Sequence, residues 1–485
     1  MKSNNSSFYF FNTMLPHRQA KSYFIWALLF VPVLSVFLYS TSTFDNGDSI
    51  MHYLISRYSF HHPYLFFDHW GKPLFTILSS PFSHFGFTGM ALFNALVIYL
   101  SAILVFETTF TLYQNYSISI VSAVSYLFCT KVLLFVHSGL TEPLFGLFLI
   151  LSAHAVLHQR ESLAAVLISF TPFIRSEGLI IMGIYLLFLV SRKHYKKIPL
   201  LFIGLVVFSI LGKLFFSYDL LWFFTKNPYP VVEPNYGSSD DIFHYFNQFF
   251  YFSGLPFSIL FSIGIIAFVY LIISKHTIIS SQANTLFWTV LAPTGAYFFT
   301  HVVFWQIGCC GAFGIQRILM SIIPLSSVII SFGLITLHKT IDHKTILYTA
   351  QSIILVLVIL FPFLHSPSSW NLSKDFQLDS TQKTALAMVE EKKDTIKNRK
   401  ARILFSEPYL GLVLDVDIYD STEADILDAE NLNTKDLIIW DCWHSPVERE
   451  IPEYEFRVLF KKDNQVLENH FDLEEKSKLT YITNF

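Results

Sequence analysis

What most limits the fold of this chain is a series of apolar stretches, each close to the roughly 20 residues that a helix needs to cross a bilayer. They lie at 23–42, 90–112, 117–136, 142–157, 198–216, 251–274, 285–304, 317–337 and 345–364. Hydrocarbon offers the backbone no water to bond with, so a spanning segment has to satisfy its own peptide groups as a helix. Two more runs, 163–174 and 178–191, are short for a span and are divided by Arg175-Ser176-Glu177-Gly178. They read as half-helices meeting at a polar apex. The pattern predicts an all-α polytopic membrane domain of about 9–11 transmembrane segments over residues 1–365.

Charge changes abruptly after that domain. Residues 1–365 hold 18 Lys and Arg against 12 Asp and Glu, a formal +6, while residues 366–485 hold 15 against 24, a formal −9. The boundary falls near His365-Ser366-Pro367. Beyond it, a polar helix-like stretch at 381–400 alternates with β-rich runs at 403–405, 411–416, 437–440 and 456–460, predicting a small C-terminal soluble α/β domain. An acidic tail without a basic face excludes nucleic acid as a partner. Membrane lipids are the partner that 53% hydrophobic content requires. Cys129, Cys309, Cys310 and Cys442 lack metal-ligand spacing and read as packing residues.

Basic loops stay on the cytoplasmic side. The clusters at 17–21 and 192–197, Lys275, and 338–344 share one side if 163–191 enters and leaves by the same face. No small-residue cleavage site follows the first apolar run, which reads as a retained span. The arrangement puts loops 43–89 and 217–250 and residues 366–485 outside. The lack of a disulfide framework in that outer domain points to a cell inner membrane.

Several polar residues exceed what a structural membrane protein requires. The first outer loop opens with Phe44-Asp45-Asn46-Gly47-Asp48, continues as an amphipathic stretch (Ile50, Met51, Tyr53, Leu54, Ile55, Tyr58) suited to the membrane surface, and reaches Asp68-His69-Trp70-Gly71-Lys72-Pro73. Glu142 stands at the mouth of a span in Thr141-Glu142-Pro143, and Arg175 and Glu177 sit between half-helices, where an unpaired charge costs several kcal/mol. A glycine-rich segment, 308–314, leads to Arg317, whose planar fork suits phosphate. Each feature also has a plain structural account: a solvated loop, a helix-terminal acid, a buried ion pair, an interfacial Arg. The tail segment 438–444, ending in Asp441-Cys442-Trp443-His444, is either a further site or the edge of a core.

The order of these elements resembles the glycosyltransferase-C superfamily, membrane enzymes that take a sugar from a polyprenyl phosphate carrier, such as protein O-mannosyltransferases and lipid A aminoarabinose transferases. The resemblance spans about residues 23–365 and rests on the acidic first loop, His69-Trp70-Gly71-Lys72-Pro73, Thr141-Glu142-Pro143-Leu144-Phe145, the Arg175-Ser176-Glu177-Gly178 break and Gly314-Ile315-Gln316-Arg317. It departs from the family in one respect: the loop acids Asp45 and Asp48 are three apart rather than in an Asp-Glu or Asp-x-Asp pair. The resemblance implies transfer of a sugar such as mannose from a polyprenyl-phosphate-sugar donor to a hydroxyl of a lipid, glycan or protein acceptor, with inversion.

The chemistry divides the candidates into two groups. The departing phosphate needs a positive clamp, assigned to Lys72, Arg317, Arg175 and His69, and the acceptor hydroxyl needs a carboxylate base. Asp48 is the expected base, with backbone amides at the loop-to-helix junction fixing its carboxylate, Asp45 and Glu142 supporting it, and Asp45 standing as the other candidate for the base. No ligand cluster forces a metal, and a divalent ion stays open as a cofactor. The alternative is a membrane transporter or lipid flippase, for which broken helices with buried charge are also a sign, although such proteins carry paired breaks and this chain shows one.

Overall fold

The computed structural model describes residues 16–45, 47–228, 238, 241–274, 277–310, 313–364, 378–397, 402–428, 436–460, 466–471 and 478–483. Asn46, Lys275, Gly311-Ala312 and the boundary His365-Ser366-Pro367 lie outside them. The helices run α1 (Pro16–Tyr39), α2 (Asp48–Tyr58), α3 (Pro73–Ser83), α4 (Phe87–Tyr113), α5 (Tyr116–Leu127), α6 (Glu142–Leu157), α7 (Glu161–Ser169), α8 (Gly178–Ser191), α9 (Ile203–Phe216), α10 (Trp222–Thr225), α11 (His244–Ser253), α12 (Leu255–Ile273), α13 (Thr277–Leu286), α14 (Ala292–Ile307), α15 (Ile323–Thr340) and α16 (Lys344–Leu364). Among the described residues seven helical segments are long and apolar enough to cross a membrane, and α5, α6, α7 and α8 are apolar but shorter. The chain is a multi-pass membrane protein with the expected helical fold class.

Residues 318–334, within the segment Gln316–Thr340, are all buried and form the axis of the bundle, with α4, α5, α6 and α12 packed around α15. The peripheral helices α1, α9 and α16 expose large apolar side chains, among them Phe24, Leu28, Leu214, Phe215 and Leu364. Water would not tolerate such a face over whole helices; lipid does.

Two expected spans are divided. The run at 117–136 is α5 followed by a 3-10 turn at Val132–His137, and the run at 251–274 breaks at Gly254 (φ +81°) into α11 and α12. The two breaks meet: the Thr130 amide donates to the Ser253 carbonyl at 3.3 Å. Each satisfies a peptide group that the other's interruption exposes.

The C-terminal part comprises α17 (Ser380–Lys397), β1 (Ile403–Phe405), α18 (Pro408–Leu414), β2 (Ala424–Ile426), β3 (Leu437–Asp441), α19 (His444–Val447), α20 (Glu453–Phe460), β4 (Val466–Phe471) and β5 (Lys478–Thr483). Its sheet has the order β2-β1-β3-β5-β4. β1 pairs parallel with β2 and β3, Ile403 opposite Ala424 and Leu437, and β5 runs antiparallel between β3 and β4. In the runs 411–416 and 456–460, expected as strands, residues 411–414 and 456–460 belong to helices, and Asp415, at φ +55°, caps the end of α18. Glu407 accepts the Tyr409 amide and Pro408 opens the first turn of α18, while α20 buries Phe456 against Trp440 and closes a Glu453–Arg457 pair one turn apart. A short apolar run does not separate strand from helix; its neighbours do.

The amphipathic helix α2 does not lie free on a surface. Ile50, Tyr53, Leu54 and Ile55 are buried, with α3 on one side and α18 on the other. Arg57 pairs with Asp415 at 2.6 Å and His62 with Asp417 at 3.0 Å, so the C-terminal domain is seated on the first loop.

Candidate active site

The site starts at the end of α1, where the chain turns into α2. Asp45 Oδ1 accepts the amides of Gly47 (2.8 Å) and Ser49 (3.3 Å). Asp45, rather than Asp48, is therefore the carboxylate fixed by backbone amides, because it lies far enough before the helix to fold back over its first free N–H groups. Asp48 is the first residue of α2, 40% exposed, at the positive end of the helix dipole. The second oxygens of both acids accept from Arg317, Asp45 from Nη1 and Asp48 from Nη2. Arg317 reaches them from a 3-10 turn, Gln316–Ile322, ahead of α15. The turn before it needs Gly314, at φ +65°, where a β-carbon would stand 2.9 Å from the Trp305 ring.

Glu142 opens α6 and is 2% exposed. Its position depends on Gly139: a β-carbon there would come within 2.1 Å of the Ser49 carbonyl oxygen, and the Gly139 amide donates to Ser49 Oγ at 2.8 Å. This backbone contact sets Glu142 against the start of α2. Arg175 Nη1 lies 2.6 Å from Glu142 Oε1, and Arg317 Nε 3.8 Å from the same oxygen. Arg175 Nη2 in turn lies 2.8 Å from Glu177 Oε1, which faces His301 Nε2 at 3.3 Å. The result is an alternating row: Asp45 and Asp48, Arg317, Glu142, Arg175, Glu177, His301. Alternation offsets the desolvation that would otherwise keep these charges out of an apolar bundle.

Lys72 caps α3 at φ +64° and donates from Nζ to Ser176 Oγ at 3.0 Å. It is 5% exposed, and burial pushes its ammonium down to about 7, with Glu177 opposing and Arg175 reinforcing that shift. Trp70 stacks on His52, ring centroids 4.5 Å apart. His69 is turned the other way: its Nε2 bonds the Phe223 carbonyl at 2.9 Å and its ring packs on Phe223 and Trp222. The structure thus separates His69 from the other proposed phosphate ligands. It stands next to Trp70 in sequence but belongs to the aromatic cluster around α10.

Asp48, Lys72, Glu142, Arg175 and Arg317 line one cavity of about 550 Å³, and Asp45 lies behind Arg317. Ser176, Glu177, Tyr245 and His301 line it too. Glu177 carried a signal in its place beside Arg175, whereas Tyr245 lies in the expected outer loop 217–250 and His301 in the apolar run 285–304, which looks like ordinary membrane helix. A second cavity, about 390 Å³, opens between α11, α12 and α14 and is walled by Phe246, Phe249, Phe261, Phe298 and Phe299. Among the described residues the one trio with metal-ligand spacing is Glu407, Asp441 and His444, in the C-terminal domain.

No family model matches the sequence, and no curated protein does. The fold does have a solved counterpart, the crystal structure of ArnT from Cupriavidus metallidurans bound to undecaprenyl phosphate, with a TM-score of 0.61 over 96% of this chain and 98% of that one. At 8% identity the likeness is one of fold, and the fold is the one that the glycosyltransferase-C resemblance implied.

Proposed function

We propose that this chain, which has the fold of the glycosyltransferase-C enzymes, is a polyprenyl-phosphate-dependent glycosyltransferase that moves a hexose-type sugar to an acceptor hydroxyl on the extracytoplasmic face. The observation that carries the reading is the single cavity holding three cations, Lys72, Arg175 and Arg317, beside the carboxylates Asp48 and Glu142. Cations suit a departing phosphate, and a carboxylate suits the hydroxyl that replaces it. The aromatic-walled second cavity offers apolar surface for a prenyl chain.

In this reading the acceptor oxygen attacks the anomeric carbon as the bond to the lipid phosphate breaks, inverting the centre. Asp48 takes the hydroxyl proton, and Lys72, Arg175 and Arg317 stabilise the phosphate that leaves. Arg317 holds Asp48 in the structure described here. A donor phosphate competing for that guanidinium releases the carboxylate, so the base becomes available when the donor is in place. A transporter would not need a carboxylate base facing a cation-lined cavity, and this together with the shared fold favours transfer.

The test incubates the purified protein in detergent with a panel of polyprenyl phosphate sugars and measures released polyprenyl phosphate. Release with at least one sugar, dependent on acceptor, is the expected result; no release across the panel would count against the reading.

A further inference from the structure

The C-terminal domain reaches the first loop at a point that packing alone does not require. Asp379 and Gln382 cap α17 reciprocally, the Gln382 amide donating to Asp379 Oδ1 at 2.8 Å and the Asp379 amide to Gln382 Oε1 at 3.1 Å. The remaining Nε2 of Gln382 donates to Thr43 Oγ1, and Thr43 Oγ1 donates to the Asp45 carbonyl at 3.0 Å. A second arm ends in His444. Its Nδ1 lies 2.9 Å from Glu407 Oε2 and 3.6 Å from Asp441 Oδ1, while its Nε2 faces the loop: a β-carbon on Gly47 would stand 3.9 Å from that nitrogen and 3.6 Å from Asp45 Oδ1. A side chain at residue 47 would therefore sit in van der Waals contact with both the imidazole and the Asp45 carboxylate.

The trio Glu407, Asp441 and His444 has metal-ligand spacing, but Asp441 is already spent. Its Oδ1 accepts the amides of Trp443 and His444, and its Oδ2 the amide and hydroxyl of Ser445. Four N–H and O–H dipoles point their positive ends at this carboxylate, which disfavours a cation there. The arrangement suits an imidazole holder better: two carboxylates behind Nδ1 fix the ring and leave Nε2 presented. Burial pulls the His444 ring down, but the hydrogen bonds and charges of Asp441 and Glu407 outweigh it and raise the ring to about 10.

We infer that the C-terminal domain is a working part of the enzyme, with His444 as a positioning residue that acts through the Asp45–Gly47 turn to aim the Asp48 carboxylate. The inference rests on the transferase reading for its kinetic arm only. His444 touches no reacting atom; its effect passes through the loop whose amides Asp45 holds.

The experiment uses the full chain and two variants that dissect the ring. Asn reproduces the Nδ1 edge, keeping the contact with Glu407 and losing the face toward Gly47, whereas Gln reproduces the Nε2 edge. His444→Asn is expected to lower kcat at least tenfold with the donor KM within twofold, and to speed hydrogen exchange at the Gly47 and Ser49 amides. His444→Gln is expected to retain most of both. The reverse order, or equal loss in both variants alongside a lowered melting temperature, would mark His444 as structural and overturn the inference, as would a KM effect without a kcat effect. If His444→Asn does not fold, His444→Ser, which also removes the Nε2 face toward Gly47, serves in its place, with the same kcat and exchange changes expected. Hydrogen exchange needs no substrate, so the two readings fail separately. Unchanged loop exchange in His444→Asn, alongside a wild type that transfers sugar, sinks the inference alone. A wild type that transfers nothing while the loop responds to His444→Asn sinks the transferase reading alone.

Discussion

Arg175 Nη1 stands 2.6 Å from Glu142 Oε1, joining the apex of a broken helix pair to the first residue of another helix. Removing one partner leaves the other charge in an environment that cannot hydrate it. Glu142→Gln should cost about 1–3 kcal/mol, below the roughly 3–5 of a fully orphaned buried charge, because Glu177 stays on Arg175. Thermal unfolding in detergent checks this. Transfer should fall as well, since Arg317 and Arg175 both lose the negative charge they share.

Asp48 and Asp45 should separate in assay. Asn at 48 keeps the size but not the basicity, so turnover should drop by about two to four orders of magnitude with little change in melting temperature. Asn at 45 still accepts the Gly47 and Ser49 amides and should lose less turnover, the deficit reflecting a weaker hold on Arg317. Sugar transfer measured side by side decides it: near-normal turnover in Asp48→Asn with loss in Asp45→Asn would exchange the two roles.

Lys72 gives the site a pH dependence of definite sign. With its ammonium lowered to about 7, the empty site carries the cation below that pH and loses it above. A phosphate prefers the cation, so donor affinity should weaken as pH rises through about 7 toward 9 in the wild type. Lys72→Gln should bind more weakly throughout, by about 1.5–3 kcal/mol, and lose this part of the slope. Donor titrations at several pH values read it directly.

The proposed orientation rests on the basic loops. α8 carries the chain about 21 Å, from the cavity apex at Gly178 to the basic cluster after Ser191. A Cys at exposed Ser421 should react with an impermeant reagent in intact cells, and one at exposed Ser191 only after permeabilisation. The opposite pattern would invert the protein.

Hydrophobic run length by itself determined the helical membrane class and the polar break at Arg175–Glu177, because the cost of exposing peptide groups to lipid acts on every residue of a span, whatever its neighbours. It also singled out Arg175 and Glu177 as charges too costly to stand unpaired between half-helices. Tertiary structure decided what those charges face. Asp45 rather than Asp48 caps α2, His69 belongs to an aromatic cluster, α2 is sandwiched instead of afloat, and 411–414 is helix. These outcomes depend on contacts such as Gly139 against Ser49 or Gln382 against Thr43, between residues 90 or 339 positions apart. A pattern read over a window of ten or twenty residues contains no term for them, so the fold class was legible in the chain while the partner of each functional side chain was not.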